Sequence, residues 1–261
     1  MSRIYQAFAN DTAFVAFLTA GDPSLAKTEE YIIALAEAGA DLIEIGIPFS
    51  DPVAEGETIQ RANRRALSQG ITTDDIFAMI KNVRKKVSIP LVFLTYINPI
   101  FTYGSKRFCQ KCQENGIDGL IIPDLPFEEK AEIFSFTQAY GIDIISLIAP
   151  TSAQRIAMIA QEAQGFVYLV SSLGVTGVRQ EITSDLPTII QTIKQITNIP
   201  IAVGFGIATP QQAEKISAYA DGVIVGSAIV KIIEDYKGNA TLQLREYVNS
   251  MKAAIRTKNS K

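Results

Sequence analysis

Short apolar, β-branched runs alternate with longer stretches of helical spacing from one end of this chain to the other. Strand candidates fall at 14–19, 41–47, 90–95, 119–122, 143–148, 166–171, 200–205 and 222–225. Between them lie amphipathic stretches at 28–38, 73–86, 128–140, 153–163, 186–196 and 211–218. Thr72 with Asp75, Thr151 with Ser152, and Ser184 with Asp185 precede helical pattern, while Gly39, Gly116 and Gly141 follow it, as caps should. About eight strand–helix repeats with no break in composition predict an α/β fold, a single (β/α)8 barrel of TIM type over residues 1–261, and not an open doubly wound sheet. Ile4, Ala7 and Phe8 at helical spacing predict an extra N-terminal helix closing the barrel bottom. Residues 241–255 predict a C-terminal helix, and about 257–261 a solvated tail.

The second strand candidate carries a charge where a strand of this kind should have none. With period two, Ile43, Ile45 and Ile47 share one face while Leu42, Glu44 and Gly46 share the other. Both faces are largely apolar, which suits a strand buried on both sides of a parallel sheet. Glu44 then points into a poorly hydrated interior, where its pKa should rise and it could exchange a proton near neutrality. A structural Glu paired with a distant Arg or Lys is the competing reading. The loop that follows, from Gly46 to about Thr58, is longer than a barrel needs and holds Asp51, Glu55 and Glu57. A second long connection runs from Ser172 to about Thr183.

Three glycine signals follow the sixth, seventh and eighth strand candidates. They are Gly174-Val175-Thr176-Gly177, Gly204-Phe205-Gly206 and Gly226-Ser227-Ala228. Glycine lets backbone N–H groups approach a ligand, and the helical run after Gly226 would add its N-terminal partial charge. Any one could be a plain tight turn. At three consecutive strand ends they match the phosphate site of such barrels.

Composition narrows the chemistry. There is no histidine, which removes histidine-dependent zinc sites and Ser–His nucleophiles. Cys109 and Cys112 stand alone as a C-x-x-C within a helical stretch and read as ordinary reduced thiols, without partners for a metal site. No strand candidate contains lysine, so a Schiff-base lysine in the barrel mouth is not expected. Acid–base work falls to carboxylates and tyrosines. A net charge of −3 gives no reason to expect nucleic acid or an anionic membrane as partner. The N-terminus lacks a signal-peptide core and no apolar run approaches a membrane span, so the cytoplasm is the expected location.

The stretch Glu44-Ile45-Gly46-Ile47-Pro48-Phe49-Ser50-Asp51-Pro52-Val53-Ala54-Glu55-Gly56-Glu57-Thr58-Ile59-Gln60 resembles the signature of the tryptophan synthase alpha chain family. Residues 17–23, 121–129, 171–177, 204–212 and 221–234 extend the resemblance, in order, over nearly the whole chain. Two positions depart from it: Glu55 stands where the family has its second catalytic Asp, and Glu57 where it has Pro. The resemblance implies retro-aldol cleavage of indole-3-glycerol phosphate to indole and glyceraldehyde 3-phosphate, with no metal or organic cofactor. It implies Glu44 as the acid–base group and Glu55 as acceptor for the indole N–H. Phe17 and Tyr96 would border the indole pocket, and Tyr168 would lie near Glu44. Thr176 and Gly177 would belong to a closing lid, and Gly206, Gly226 and Ser227 would hold phosphate. A family aspartate that meets this lid matches Asp124, for which a helix N-cap is the rival reading, and Arg179 would help with phosphate or remain solvated.

The resemblance further implies a beta subunit as partner, in an αββα complex, with residues 48–60 and 98–101 near the interface. The longer Glu55 side chain keeps a second reading open, an attenuated alpha chain that acts mainly as allosteric activator of beta. Another phosphate-binding barrel, such as a sugar-phosphate isomerase, would share the glycines but not the Glu44 loop.

Overall fold

A computed structural model of the chain describes residues 2–171 and 186–255. Nine parallel strand segments form it: β1 (Ala13–Thr19), β2 (Leu42–Gly46), β3 (Leu91–Leu94), β4 (Gly119–Ile121), β5 (Asp143–Ile144), β6 (Ser146–Ile148), β7 (Val167–Val170), β8 (Ile201–Gly204) and β9 (Gly222–Val225). Their order in the sheet is β5-β4-β3-β2-β1-β9-β8-β7-β6. Its two ends, β5 and β6, are one extended segment interrupted only at Ile145, whose N–H still donates to Leu120 O at 2.9 Å. The lower half of that segment pairs with β4 and the upper half with β7, so the sheet closes on itself. The predicted strand 143–148 is thus split because the stagger of a closed barrel hands it from one neighbour to the other.

Alternation sorts the side chains. Val15, Leu42, Val92, Ile121, Ile145, Phe166 and Ile224 fill the barrel interior, while Phe14, Ile43, Ile45, Phe93 and Leu169 pack outward under the helices. The N-terminal helix Arg3–Ala7 plugs the bottom, with Ile4 fully buried in the interior cluster and the Phe8 ring 5.4 Å from Phe166. Three aspartates recur at that end, each just before a strand. Asp41 accepts from Phe14 N at 2.6 Å, Asp118 from Leu91 N at 2.9 Å and Asp221 from Ile201 N at 3.0 Å. Each also holds a cation: Lys252, Arg84 and Lys194 respectively. These pairs satisfy strand-end donors on the face of the barrel that carries stability.

Predicted caps at Thr72 with Asp75 and at Ser152 are observed, the first as a reciprocal capping box. Helix Thr241–Ile255 forms over the predicted residues and buries Leu244, Val248, Met251 and Ile255. Helices Glu57–Leu67 and Ile97–Tyr103 add to those that periodicity singles out. The first buries Ile59, Ala62, Asn63 and Ala66, a correctly spaced face in a stretch whose many charged and polar residues give it little overall hydrophobicity. Cys109 and Cys112 are both buried, unpaired thiols. Ser184 with Asp185, the loop from 172, and the tail lie outside the described residues.

Candidate active site

At the C-terminal mouth of the barrel one cavity is lined by Phe17, Glu44, Glu55, Tyr168, Gly206, Gly226 and Ser227, brought in from five different strand ends. Ile59, Leu94, Leu147, Phe205 and Ile224 complete apolar walls. Register explains the grouping on one side, since Phe17 on β1 lies level with Glu44 on β2, and Glu44 level with Val92 on β3. Tyr168 arrives from the opposite wall, level with Leu147 and Ala202.

Glu44 is 1% exposed, and its Oε1 has no hydrogen-bond partner among the described residues. No Lys or Arg there forms a salt bridge with it, which removes the paired, structural reading for the described part of the chain. Burial pushes its carboxyl up from 4.5 to about 8. The buried Tyr168 hydroxyl is pushed upward as well, first by burial and then by the nearby Glu44 charge. An unpartnered carboxyl at the wall of an apolar cavity can hold a proton at neutral pH and deliver it to whatever occupies the cavity.

Glu55 is 5% exposed, and its Oε2 accepts from Tyr96 Oη. The same Tyr96 oxygen accepts from Val53 N and Ala54 N, each at 3.1 Å. Gln60 Nε2 donates to Glu55 O at 2.8 Å. Burial raises the Glu55 carboxyl, opposed by the Tyr96 hydrogen bond. Tyr96 is therefore placed behind Glu55, gripping its loop, and is not part of the cavity wall where the resemblance would put it. Asp124 accepts from Ile97 N at 3.0 Å and so caps helix Ile97–Tyr103, the helix after β3, rather than the segment from Leu125 onward. Thr176, Gly177, Gly174 and Arg179 lie outside the described residues.

The other end of the cavity suits an anion. Gly226 is the N-cap of helix Ser227–Tyr236 with no side-chain cap, so the first N–H groups have no intrahelical partner. Gly206 has φ +85°, a conformation that β-carbons disfavour. Space matters at two other glycines. A Cβ at Gly204 would lie 2.4 Å from Tyr168 Oη, and one at Gly46 would lie 2.8 Å from Phe17 Cζ. Gly204, expected among phosphate donors, thus makes room for a tyrosine. Phe205, a wall residue that the pattern did not single out, adopts φ +74° and is held by a hydrogen bond from Ser171 Oγ to its carbonyl. Strain in a non-glycine residue at a cavity wall is a mark of function, and only its position between two glycines signals it in the sequence.

The family model for the tryptophan synthase alpha chain matches residues 5–256. A tryptophan synthase alpha chain from Lactiplantibacillus plantarum is 50% identical over 256 residues, covering 98% of this chain and 97% of its own. The crystal structure of the tryptophan synthase alpha chain from Legionella pneumophila superposes with a TM-score of 0.89 at 36% identity over 100% of both chains. A structure of Mycobacterium tuberculosis tryptophan synthase gives a TM-score of 0.89 at 33% identity, covering 98% of each chain.

Proposed function

The chain belongs to the tryptophan synthase alpha chain family and is a lyase that cleaves indole-3-glycerol phosphate to indole and glyceraldehyde 3-phosphate in tryptophan biosynthesis; on that footing we propose how its own residues perform the reaction. The observation that carries the reading is Glu44, a buried carboxyl without a cation that faces the same cavity as Glu55 and a free helix N-terminus.

On this reading the indole ring lies between Phe17, Leu94, Leu147 and Phe205 and the phosphate at Gly206, Gly226 and Ser227, supported by their lining one cavity. Protonated Glu44 gives its proton to C3 of the indole, leaving a positive charge spread toward the ring nitrogen. Glu55 accepts the ring N–H and stabilises that charge. Glu44, now a carboxylate, takes the proton from the neighbouring glycerol hydroxyl. The O–H electron pair becomes a carbonyl, the C–C bond breaks, and its pair neutralises the ring. Glu44 ends as it began, protonated.

A pyridoxal-phosphate beta subunit is the partner of this reading, in an αββα complex in the cytoplasm. Val53 and Phe101, 66% and 48% exposed, are apolar side chains on the two segments assigned to that contact. No helix among the described residues is long and apolar enough to cross a membrane.

Supplied with indole-3-glycerol phosphate, the protein should release indole, and added beta subunit should raise the rate. Stimulation of beta without any cleavage would select the activator role instead and overturn these catalytic assignments.

The phosphate end has its own test. Gly226 is a poor probe, because a Cβ there would sit 3.3 Å from Phe17 Cδ1 and disturb the indole wall as well. Ser227→Asp places a charge at a helix start that tolerates it and repels phosphate. Its affinity for glycerol 3-phosphate should fall by about tenfold or more, while indole binding stays within about twofold, as read by calorimetry. Equal loss for both ligands would move the phosphate elsewhere.

A further inference from the structure

Glu55 reaches the cavity from an irregular segment, residues 47–56, between β2 and helix Glu57–Leu67. The phosphate helix is tied differently, since Ser227–Tyr236 begins two residues after β9 ends. The two units must nevertheless keep a fixed spacing, because one holds the indole nitrogen and the other the phosphate of a single molecule. Apolar packing fixes that spacing weakly. Helix Glu57–Leu67 meets Phe17 and Val230 through Ile59 and Ala62, and short side chains offer little resistance to sliding along the helix axis.

A chain of four charged residues spans this contact. Arg61 forks onto Glu234, Nε to Oε1 at 2.8 Å and Nη2 to Oε2 at 2.9 Å. Arg65 donates to Glu234 Oε1 at 2.9 Å and forks onto Asp22 at 2.7 and 2.8 Å. Asp22 follows β1, both arginines lie on the helix after Glu55, and Glu234 lies on the phosphate helix. The units following three adjacent strands, β2, β1 and β9, are thereby joined. Lys231 approaches Glu234 at 3.9 Å and Glu57 approaches Arg61 at 3.9 Å, both from solvent-facing positions. Two bidentate forks fix direction as well as distance, which a single exposed ion pair does not. The hydrogen bonds of Arg61, more than those of Arg65, hold the Glu234 carboxyl down at about 2, so Glu234 keeps its charge at neutral pH.

We propose that Arg61, Arg65, Glu234 and Asp22 form a positioning unit that sets Glu55 at its working distance from the phosphate helix. They touch no reacting atom; they act through Glu55, and the inference rests on the role given to Glu55 above.

A double-mutant cycle tests it. Glu234→Gln should lower kcat for indole release about tenfold, since displacement on the order of 1 Å is costly in an aligned site. Its affinity for glycerol 3-phosphate should stay within about twofold, because the phosphate helix remains fixed to β9. In a Glu55→Gln background the same Glu234→Gln change should lower kcat by less than about twofold, there being no carboxylate left to position. Effects that multiply in full, or no effect of Glu234→Gln in the parent, overturn the inference while the role of Glu55 stands. A Glu55→Gln variant with unchanged kcat removes that role, and the inference with it. If Glu234→Gln fails to fold, Arg61→Ala runs the same cycle, because it deletes one fork and leaves Arg65 joined to both acids.

Discussion

Glu44→Gln should lose nearly all turnover, by at least about 10²-fold, while still binding indole-3-glycerol phosphate. The amide keeps the size of the side chain and removes the proton that both halves of the reaction use. The same substitution should change stability in the opposite direction. The folded Glu44 carboxyl titrates at about 8 against an ordinary 4.5, because burial penalises its charge. Between those pH values the unfolded chain has released the proton and the folded chain has kept it. Folding stability therefore falls as pH rises from about 4.5 to about 8, and the loss is complete above that. An amide does not titrate, so the variant should melt higher than the parent at pH 8 and converge with it below about pH 4.5. In the parent, kcat/KM should fall as pH rises through about 8, where the acid is lost. More than about a tenth of parental kcat in Glu44→Gln would remove the acid–base role. Melting curves that stay parallel across this pH range would mean Glu44 is not buried as a neutral acid.

Glu55→Asp should lower cleavage by about tenfold or more, although it restores the residue usual in the family. The Glu55 carboxylate is matched to its present length, since its Oε2 meets Tyr96 Oη and that same oxygen holds the Val53 and Ala54 N–H groups. Removing one methylene withdraws the carboxylate by roughly one C–C bond from the tyrosine that aims it, and misplacement of that order can cost up to about 10²-fold. Glu55→Gln should lose about 10²-fold, because the acceptor of the ring N–H no longer carries charge when positive charge develops. A rise in kcat for Glu55→Asp would mean that the loop has drifted and that the longer side chain is only tolerated. Unchanged kcat and KM in both variants would place Glu55 outside the chemistry.

Much of this was written in local pattern. Period two put Glu44 on the strand face opposite Ile43 and Ile45, both faces being apolar, and only closure of the barrel made that face the inner one and a cavity wall. The strand candidates agree with the observed strands to within about two residues, because buried parallel strands announce themselves as unbroken β-branched runs. Helix Glu57–Leu67 reads as loop because the stretch is polar overall, although Ile59, Ala62 and Ala66 recur at helical spacing against a charged opposite face.

By itself, then, the sequence determined the barrel, the buried carboxylate, the glycines at the last strand ends and the family, because each depends on residues close together in the chain or on order along it. Tertiary structure alone decided what each side chain meets. Tyr96 holds Glu55 from 41 positions away, and Arg61 meets Glu234 from 173 positions away. Gly204 has no side chain because Tyr168 needs that space, and Asp124 caps a helix 27 positions earlier. No periodicity records such pairs, since they arise only when curvature of a closed sheet brings separate strand ends to one mouth.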